Sequence, residues 1–317
     1  MRRSPEPFAT DGNVSRPTVA LVIDRTDWHA PQIANALAAR RLAMIPMRLH
    51  VCAFSTQSPT GLWLDGFGEC LPDAVLVRSL SGGTFEAVTL RLGILHALRE
   101  RGVAVWNDAR AIERCVDKST TSFLLSRAGI ATPPTWATQS YEQARAIVQR
   151  EIAHGPLVLK PLFGSQGRGL RLISRPDELP PAETVPGGVW YLQRFVGVEG
   201  EVFHDFRLFV VRGRVIAAMQ RRSTHWITNV KRGGRPVAAV VSDAMKSLAV
   251  DAAAAVGADF AGVDILHAVD QRPTVLEVNS MPAWSGLQKV TSANIAGVLA
   301  DALITALAAR TARGAMA

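Results

Sequence analysis

Residues 157–173 read LVLKPLFGSQGRGLRLI, in which two short apolar runs flank a loop that holds three glycines. The runs LVLK and LRLI are both typical of β-strands, so the segment predicts a hairpin with a glycine-rich turn. Backbone N–H groups of such loops can surround phosphate oxygens, and Lys160 ends the first run. The segment therefore indicates a flap over a nucleotide, with a purely structural hairpin as the alternative.

The two common phosphate-binding loops do not match this segment. A Walker loop requires G-x-x-x-x-G-K-[ST] before a helix, whereas Gly169 is followed by Leu170 and Arg171. A dinucleotide fingerprint requires G-x-G-x-x-G, whereas Gly164, Gly167 and Gly169 are spaced G-x-x-G-x-G. The flap is therefore a hairpin rather than a loop that opens a helix.

Isolated acids lie in two apolar runs nearer the C-terminus. Asp264 is embedded in GVDIL, and Glu277 and Asn279 are two residues apart in VLEVN, so both point to the same face of a strand. Pairing of the two strands can bring Asp264 beside them. Two carboxylates and an amide oxygen suit Mg²⁺ that bridges phosphates. The alternative is an edge-facing acid and a turn asparagine.

Basic side chains that could bind phosphate lie in the same half of the chain. Lys118 lies in a predicted helix, Arg221 ends a predicted strand and Arg232 lies in TNVKRGG, and each of these alone is consistent with a solvated surface charge. Lys160 and Arg207 are embedded in apolar strands, where an unpaired charge would be costly. These two favour a functional site.

The order of apolar patterns predicts three lobes. Residues 1–16 are predicted to be a disordered tail, and alternating strands and helices over 17–107 predict a small α/β domain with a parallel sheet. A central α+β lobe that carries the flap is predicted over 108–190. A C-terminal α+β lobe with an antiparallel sheet and the metal site is predicted over 191–310.

Several elements are specific enough to be tested. We expect the second strand at 47–54 (MRLHVCAF) and one helix over 109–130 that ends at Gly129. Hairpins are predicted to turn at 212–213 and at 270–273, where turn-forming residues interrupt apolar runs.

The composition points to anionic partners. The net charge is +8 and the sequence pI is about 10.1, which favours nucleotides, acidic peptides or nucleic acid. With two tyrosines and no basic run interleaved with aromatics, a dedicated nucleic-acid binder is the less supported of these.

Cysteine usage and hydropathy suggest a cytoplasmic protein without a membrane span. Cys52, Cys70 and Cys115 form no C-x-x-C pair and are interpreted as reduced, buried small hydrophobes. The N-terminus lacks the apolar run of a signal peptide. Asp301 and Arg310 interrupt the apolar C-terminal stretch, which predicts a packed helix.

Together the quoted segments resemble the ATP-grasp superfamily and, within it, the RimK-like group of glutamate ligases. The resemblance covers roughly residues 107–300 in order, through the segments LVLKP-LFGSQGRG, QRFV, DFRLFVV, TNVKRGG, AGVDIL and LEVNSMPAWSGLQ. It implies a three-lobed ATP-grasp architecture with ATP between two α+β lobes, under the glycine flap.

The resemblance also assigns roles to residues. ATP would be held by residues of the flap, of the strand QRFV and by two lysines: Lys118, Lys160, Gly164, Ser165, Gln166, Gly167, Gln193, Phe195 and Val196. Two Mg²⁺ ions, with Mn²⁺ as an alternative, would be held by Asp264, Glu277 and Asn279. The acyl phosphate and the incoming amino acid would be lined by Arg207, Arg221, Asn229 and Arg232.

The activity implied is ATP-dependent joining of a carboxylate to an amine, through an acyl phosphate and with release of ADP. The implied amine is L-glutamate, and the implied acceptor is a small molecule such as a pterin or tetrahydromethanopterin-type cofactor. One alternative is modification of the C-terminus of a protein, such as a ribosomal protein. Another is a non-enzymatic module that binds nucleic acid. A homo-oligomer is left open.

The chain departs from the family pattern at three places. Arg194 replaces the glutamate that often follows glutamine in the adenine strand, and Met281 to Trp284 replace a small, glycine-bearing segment. The short loop that contains Trp226 is the third. Both tryptophans would suit an aromatic acceptor, since flat rings stack on them. The alternative is that they brace the loops.

Overall fold

The computed structural model describes residues 16–164, 166–197, 202–267 and 272–314. Almost all of the predicted N-terminal tail, Ser165 and part of the turn predicted at 270–273 lie outside the described residues.

The N-terminal part contains a four-stranded parallel sheet in the order β2-β1-β5-β6. A two-stranded hairpin, β3-β4, lies beside it. The elements are β1 (Thr18–Val22), α1 (His29–Ala38), β2 (Ala43–Met47), β3 (Ala53–Phe54), β4 (Leu62–Trp63), β5 (Ala74–Val77), α2 (Phe85–Glu100) and β6 (Ala104–Trp106). The prediction of a parallel sheet from alternating strands and helices is confirmed.

The second strand was predicted in the wrong place. It occupies Ala43–Met47, whereas most of the predicted segment, 48–52, is a turn closed by hydrogen bonds from Val51 and Cys52 to Arg48 and Leu49. Pro46 argues against a strand in the interior of a sheet, but β2 is an edge strand, where proline is tolerated.

The single helix predicted over 109–130 is two helices, α3 (Ala109–Val116) and α4 (Lys118–Arg127). Asp117 separates them: its backbone is extended, and its carboxylate accepts hydrogen bonds from the N–H groups of Ser119 and Thr120. An aspartate in this position caps a new helix rather than continuing the old one. Lys118 is therefore the first residue of α4.

The central sheet is antiparallel, in the order β7-β10-β8-β9. Its elements are β7 (Thr135–Thr138), α5 (Tyr141–Glu151), β8 (Leu157–Lys160), β9 (Arg171–Ile173) and β10 (Trp190–Arg194). The predicted hairpin of β8 and β9 is confirmed, and α5 packs on the sheet through Ala144 and Val148. The lobe boundaries after residues 107 and 190 remain predictions; the second falls at the start of β10.

The C-terminal sheet is also antiparallel, in the order β13-β12-β11-β14-β15. Its elements are β11 (Phe203–Val211), β12 (Arg214–Ser223), β13 (Arg235–Ala238), α6 (Asp243–Val256), β14 (Phe260–His267), β15 (Pro273–Asn279), α7 (Ser285–Gln288) and α8 (Ile295–Gly314). The predicted turn at Arg212 and Gly213 is confirmed, and both residues have positive φ.

One hydrophobic core joins the N-terminal and C-terminal sheets. It contains Leu21 of β1, Phe209 of β11, Trp284 and Leu299 of α8, all buried. No helix among the described residues combines the length and the apolar character needed to cross a bilayer. The three cysteines are free, as expected, but Cys70 is exposed rather than buried.

Candidate active site

A cavity of about 320 Å³ lies between the central and C-terminal sheets, beneath the glycine-rich flap. Twelve of the sixteen predicted site residues line it: Lys118, Lys160, Gly164, Gln166, Gly167, Gln193, Phe195, Val196, Arg221, Asn229, Asp264 and Glu277. Arg207 and Arg232 are bonded to the lining residues Asp264 and Gly167, Asn279 lies two residues beyond Glu277 on the same strand, and Ser165 is outside the described residues. The glycine-rich flap, the strands that carry Asp264 and Glu277, and several of the basic residues thus meet at one cavity.

The strand pair β14 and β15 places the two acids together. Asp264 lies directly opposite Glu277, and Gly262 lies opposite Asn279, with a bulge after Asp264. The Glu277 carboxylate makes no hydrogen bond or ion pair with the described residues, and its charge acts on Lys160. Asn279 donates its Nδ2 to the Gly262 carbonyl at 3.4 Å, which leaves Oδ1 as an acceptor.

The donor set fits Mg²⁺ held jointly with phosphate. All three candidate ligands offer oxygen, the element that Mg²⁺ prefers. Within the described ranges no group of three or more His, Cys, Asp or Glu side chains is arranged to hold a metal. Further ligands would therefore have to come from nucleotide phosphates and water, as is usual for Mg²⁺ in phosphoryl-transfer sites.

A buried network of arginines and aspartates surrounds Asp264. Arg207 donates Nε and Nη2 to the two Asp264 oxygens, each at 2.7 Å, and Arg221 Nη2 lies 2.9 Å from the same carboxylate. Arg221 also forms a two-point pair with Asp205. Burial opposes ionisation of Asp264, but the two guanidiniums outweigh it and hold the pKa of Asp264 below its ordinary value.

Asp205 was not among the residues predicted from the sequence. It is buried at the start of β11 and pairs in register with Arg221 of β12. A signal was present, because Asp205 and Arg207 are two residues apart in an otherwise apolar strand and so share a face.

Lys160 is buried at the end of β8. It donates to Gln193 Oε1 at 2.6 Å, and Gln193 Nε2 is in turn bonded to Thr135 and Tyr191. Burial lowers the pKa of Lys160 to about 8, against the opposing charge of Glu277. A buried ammonium with only a neutral partner is well suited to bind an anion.

The flap closes on the loop that follows β12. A Cβ atom at Gly167 would lie 2.6 Å from Asn229 Oδ1 and 2.6 Å from Ile227 Cγ2, and Gly167 has φ of +67°. Arg232 donates to the Gly167 carbonyl at 3.3 Å. On the other side, Lys118 Nζ donates to the Gly164 carbonyl at 2.7 Å. Two predicted cationic residues therefore hold the flap in this structure.

The segment after β10 offers backbone groups at the far end of the cavity. The Phe195 N–H is bonded to the Pro156 carbonyl. An adenine base would therefore have to meet the Phe195 carbonyl and the Val196 N–H. The ring of Trp226 packs edge-on against Phe195, with centroids 6.0 Å apart. Arg194 also lines the cavity, but its guanidinium is paired with Glu151 of α5.

Trp284 is not at the cavity. It is 1% exposed and belongs to the core between the N-terminal and C-terminal sheets. Its backbone N–H donates to His29 Nε2 at 3.0 Å, and its ring packs on His29 and Phe209. The suggestion that Trp284 contacts an aromatic acceptor is therefore wrong, and the bracing alternative describes it.

A flap, a buried lysine and two opposed acids around one cavity between two antiparallel sheets define an ATP-grasp ligase. Residues 115–303, more than half of the chain, match the RimK-like ATP-grasp domain, and the chain belongs to this family. The predicted family and the predicted multi-lobed α/β and α+β architecture are confirmed. The chain is an enzyme, a ligase that forms a C–N bond.

Two relatives have the same name, tetrahydromethanopterin:alpha-L-glutamate ligase. The protein of Methanosarcina acetivorans is 31% identical over 303 residues, which cover 84% of this chain and 92% of that protein. The protein of Methanococcus maripaludis is 36% identical over 207 residues, which cover 64% and 70%.

Among solved structures, the ATP-grasp ligase PsnB complexed with a minimal precursor has a TM-score of 0.70 at 24% identity, and the match covers 92% of this chain and 99% of PsnB. Its complex with minimal precursor, Mg and ADP has a TM-score of 0.66 at 25% identity, with 91% and 98% covered. ATP and Mg²⁺ are the cofactors of ligases with this fold.

Proposed function

We propose that the protein adds L-glutamate to a carboxylate of a small-molecule acceptor, at the expense of ATP. The observation that carries this proposal is the cavity in which Lys160, Glu277 and the Asp264–Arg207 pair converge under the flap. ATP supplies the γ-phosphoryl group that turns the acceptor carboxylate into an acyl phosphate, which the glutamate amine attacks with loss of phosphate.

The residues of the chain have separate parts in this proposal. Lys160 and Lys118 bind phosphate oxygens, and the flap excludes water from the reacting groups. Asp264, Glu277 and Asn279 would hold the two Mg²⁺ ions implied by the family, and these would supply positive charge to stabilise the phosphoryl transfer. No nucleophilic side chain is required, because phosphoryl transfer depends on positioning and on charge stabilisation.

Three arginines and one asparagine beyond the acids would stabilise the reacting carboxylate. Arg207 and Arg221 lie at Asp264, and Asn229 and Arg232 lie where the flap meets the loop after β12. Guanidinium groups bind carboxylate and phosphate with two parallel hydrogen bonds, which fixes orientation as well as charge. These four residues would therefore orient the acyl phosphate and the glutamate.

The name shared by these two relatives supports a pterin-type acceptor, because the two proteins are 31% and 36% identical to this chain. The test is mass spectrometry of a small-metabolite pool incubated with the protein, ATP and glutamate. The proposal expects an acceptor that gains the mass of a glutamyl residue only when ATP is present.

Modification of a protein C-terminus would instead place the added mass on a polypeptide. A module that only binds nucleic acid would release no phosphate from ATP under any of these conditions. Either outcome would refute the proposed function.

A further inference from the structure

Arg221 has a carboxylate partner of its own. Its Nε donates to Asp205 Oδ1 at 2.7 Å, and its Nη2 contacts the other Asp205 oxygen. Both side chains are 3% exposed, so each charge depends on the other for compensation. Burial opposes the charge of Arg221, but the carboxylates of Asp264 and Asp205 outweigh it and raise the pKa of Arg221.

The two arginines at Asp264 are held differently. Arg207 makes both of its ion-pair bonds to Asp264 and has no other carboxylate partner among the described residues. Arg221 makes a single contact to Asp264, at 2.9 Å, because its other bonds go to Asp205. A metal at Asp264 has to share or displace these contacts, and a guanidinium bound at two points competes more strongly than one bound at a single point.

We propose that Asp205 is a positioning residue, which holds Arg221 and thereby keeps Asp264 available to the metal. Without the Asp205 charge, the buried guanidinium of Arg221 has Asp264 as its remaining carboxylate and turns its second N–H group to it. Asp264 would then be bound at two points by each of two arginines. This inference rests on the proposed function, since it assigns Asp264 to the metal.

The different anchoring of Arg207 and Arg221 would matter for phosphoryl transfer. If Asp264 bound a metal, Arg207 would lose the one carboxylate partner it has among the described residues, and its side chain is the more exposed of the two arginines, at 13%. Arg207 can then bind the phosphoryl group, whereas Arg221 remains fixed by Asp205. Asp205 would thus keep Arg221 in place, whereas Arg207 would be released when a metal binds.

The test is the affinity of the full chain for Mn²⁺, read by electron paramagnetic resonance in the presence of a non-hydrolysable ATP analogue. Asp205→Asn should weaken Mn²⁺ binding about ten- to a hundredfold, the range expected when a two-point charge-assisted pair competes for Asp264. Asp205→Asn combined with Arg221→Met should restore the affinity to within about threefold of wild type, because the competitor is gone.

Asp301→Asn is the matched control. Asp301 also forms a two-point pair with an arginine, Arg40, but that pair joins the turn after α1 to α8 on the surface. This variant should bind Mn²⁺ like wild type. If Asp205→Asn binds Mn²⁺ like wild type, the proposal is wrong, and it is equally wrong if the double variant stays as weak as the single one.

A second variant covers the case in which Asp205→Asn does not fold. Arg221→Lys keeps the charge but cannot bind at two points, so its ammonium should stay with Asp205. This variant should therefore bind Mn²⁺ at least as tightly as wild type. Weaker binding would overturn the proposal. A wild-type chain that binds no Mn²⁺ with the nucleotide would refute the proposed function itself, which distinguishes the two failures.

Discussion

Replacement of Gly167 by alanine should prevent the flap from closing over ATP. Gly167 has φ of +67°, and a Cβ would lie 2.6 Å from both Asn229 Oδ1 and Ile227 Cγ2. The left-handed conformation costs an L-residue about 1–2 kcal/mol, and overpacking costs about 1–3 kcal/mol. An open flap avoids the clash with Asn229 and Ile227, so that penalty falls on the closed, ATP-bound state.

At about 1.4 kcal/mol per tenfold change, the clash predicts that ATP affinity falls by about five- to a hundredfold in Gly167→Ala. Isothermal titration calorimetry with Mg²⁺ and ATP measures this directly. The control is Gly187→Ala, since Gly187 has φ of +70° and no atom within 4 Å of its Cβ position. That variant should lose about 1–2 kcal/mol of folding stability and keep wild-type affinity.

The reasoning about the flap fails if Gly167→Ala binds ATP as wild type does, or if the control weakens binding equally. Protection of the flap supplies an independent reading. ATP should slow hydrogen exchange and proteolysis of the segment around Gly167 in the wild type, and should do so much less in Gly167→Ala.

Three further predictions concern two other residues of the site and the two tryptophans. Glu277→Gln should lower turnover by about 10²–10³ at saturating Mg²⁺ with little change in Tm, because this carboxylate has no partner among the described residues; near-normal turnover would remove Glu277 from the metal site. The pKa of Lys160 is lowered by burial to about 8, so ATP affinity should be full below that pH and should fall as the pH rises above it, while Lys160→Arg should flatten this profile; an identical pH dependence in both proteins would contradict the assignment. Trp284→Ala should cost about 3–5 kcal/mol of stability, as expected for a core tryptophan. Trp226→Ala should instead weaken ATP binding severalfold with little change in Tm, since Trp226 lines the cavity beside Phe195; equal losses of stability in the two variants would contradict this division.

The sequence was most informative where a charged residue interrupts an apolar strand. Asp264 and Glu277 are charged residues in apolar strands. The period of two places Glu277 and Asn279 on one face, and the register places Asp264 opposite Glu277, as pairing of the two strands predicts. Lys160 is likewise an ammonium at the end of an apolar strand, and it lines the same cavity. Such conflicts mark sites because burial of an unpaired charge is costly.

Long-range packing explains what the sequence did not reveal. Trp284 lies on a loop next to the metal strand, but its ring packs on His29, 255 residues away, and no local pattern encodes that contact. Asp205 could be seen as a charge in a strand, but its partner depends on the register between β11 and β12. Pro46 is tolerated in β2 because that strand lies at the edge of the sheet, which is a property of the whole sheet.

In the proposed reaction, phosphorylation activates the acceptor carboxylate before glutamate is attached. Once mass spectrometry has identified the acceptor, it can be prepared with heavy oxygen in its carboxylate and incubated with the protein, ATP, Mg²⁺ and L-glutamate. An acyl phosphate transfers one carboxylate oxygen to the phosphate that is released when the amide forms. The account therefore predicts one heavy oxygen in each phosphate and one ADP for each glutamate added. Amide product formed with unlabelled phosphate, or with release of AMP in place of ADP, would contradict it.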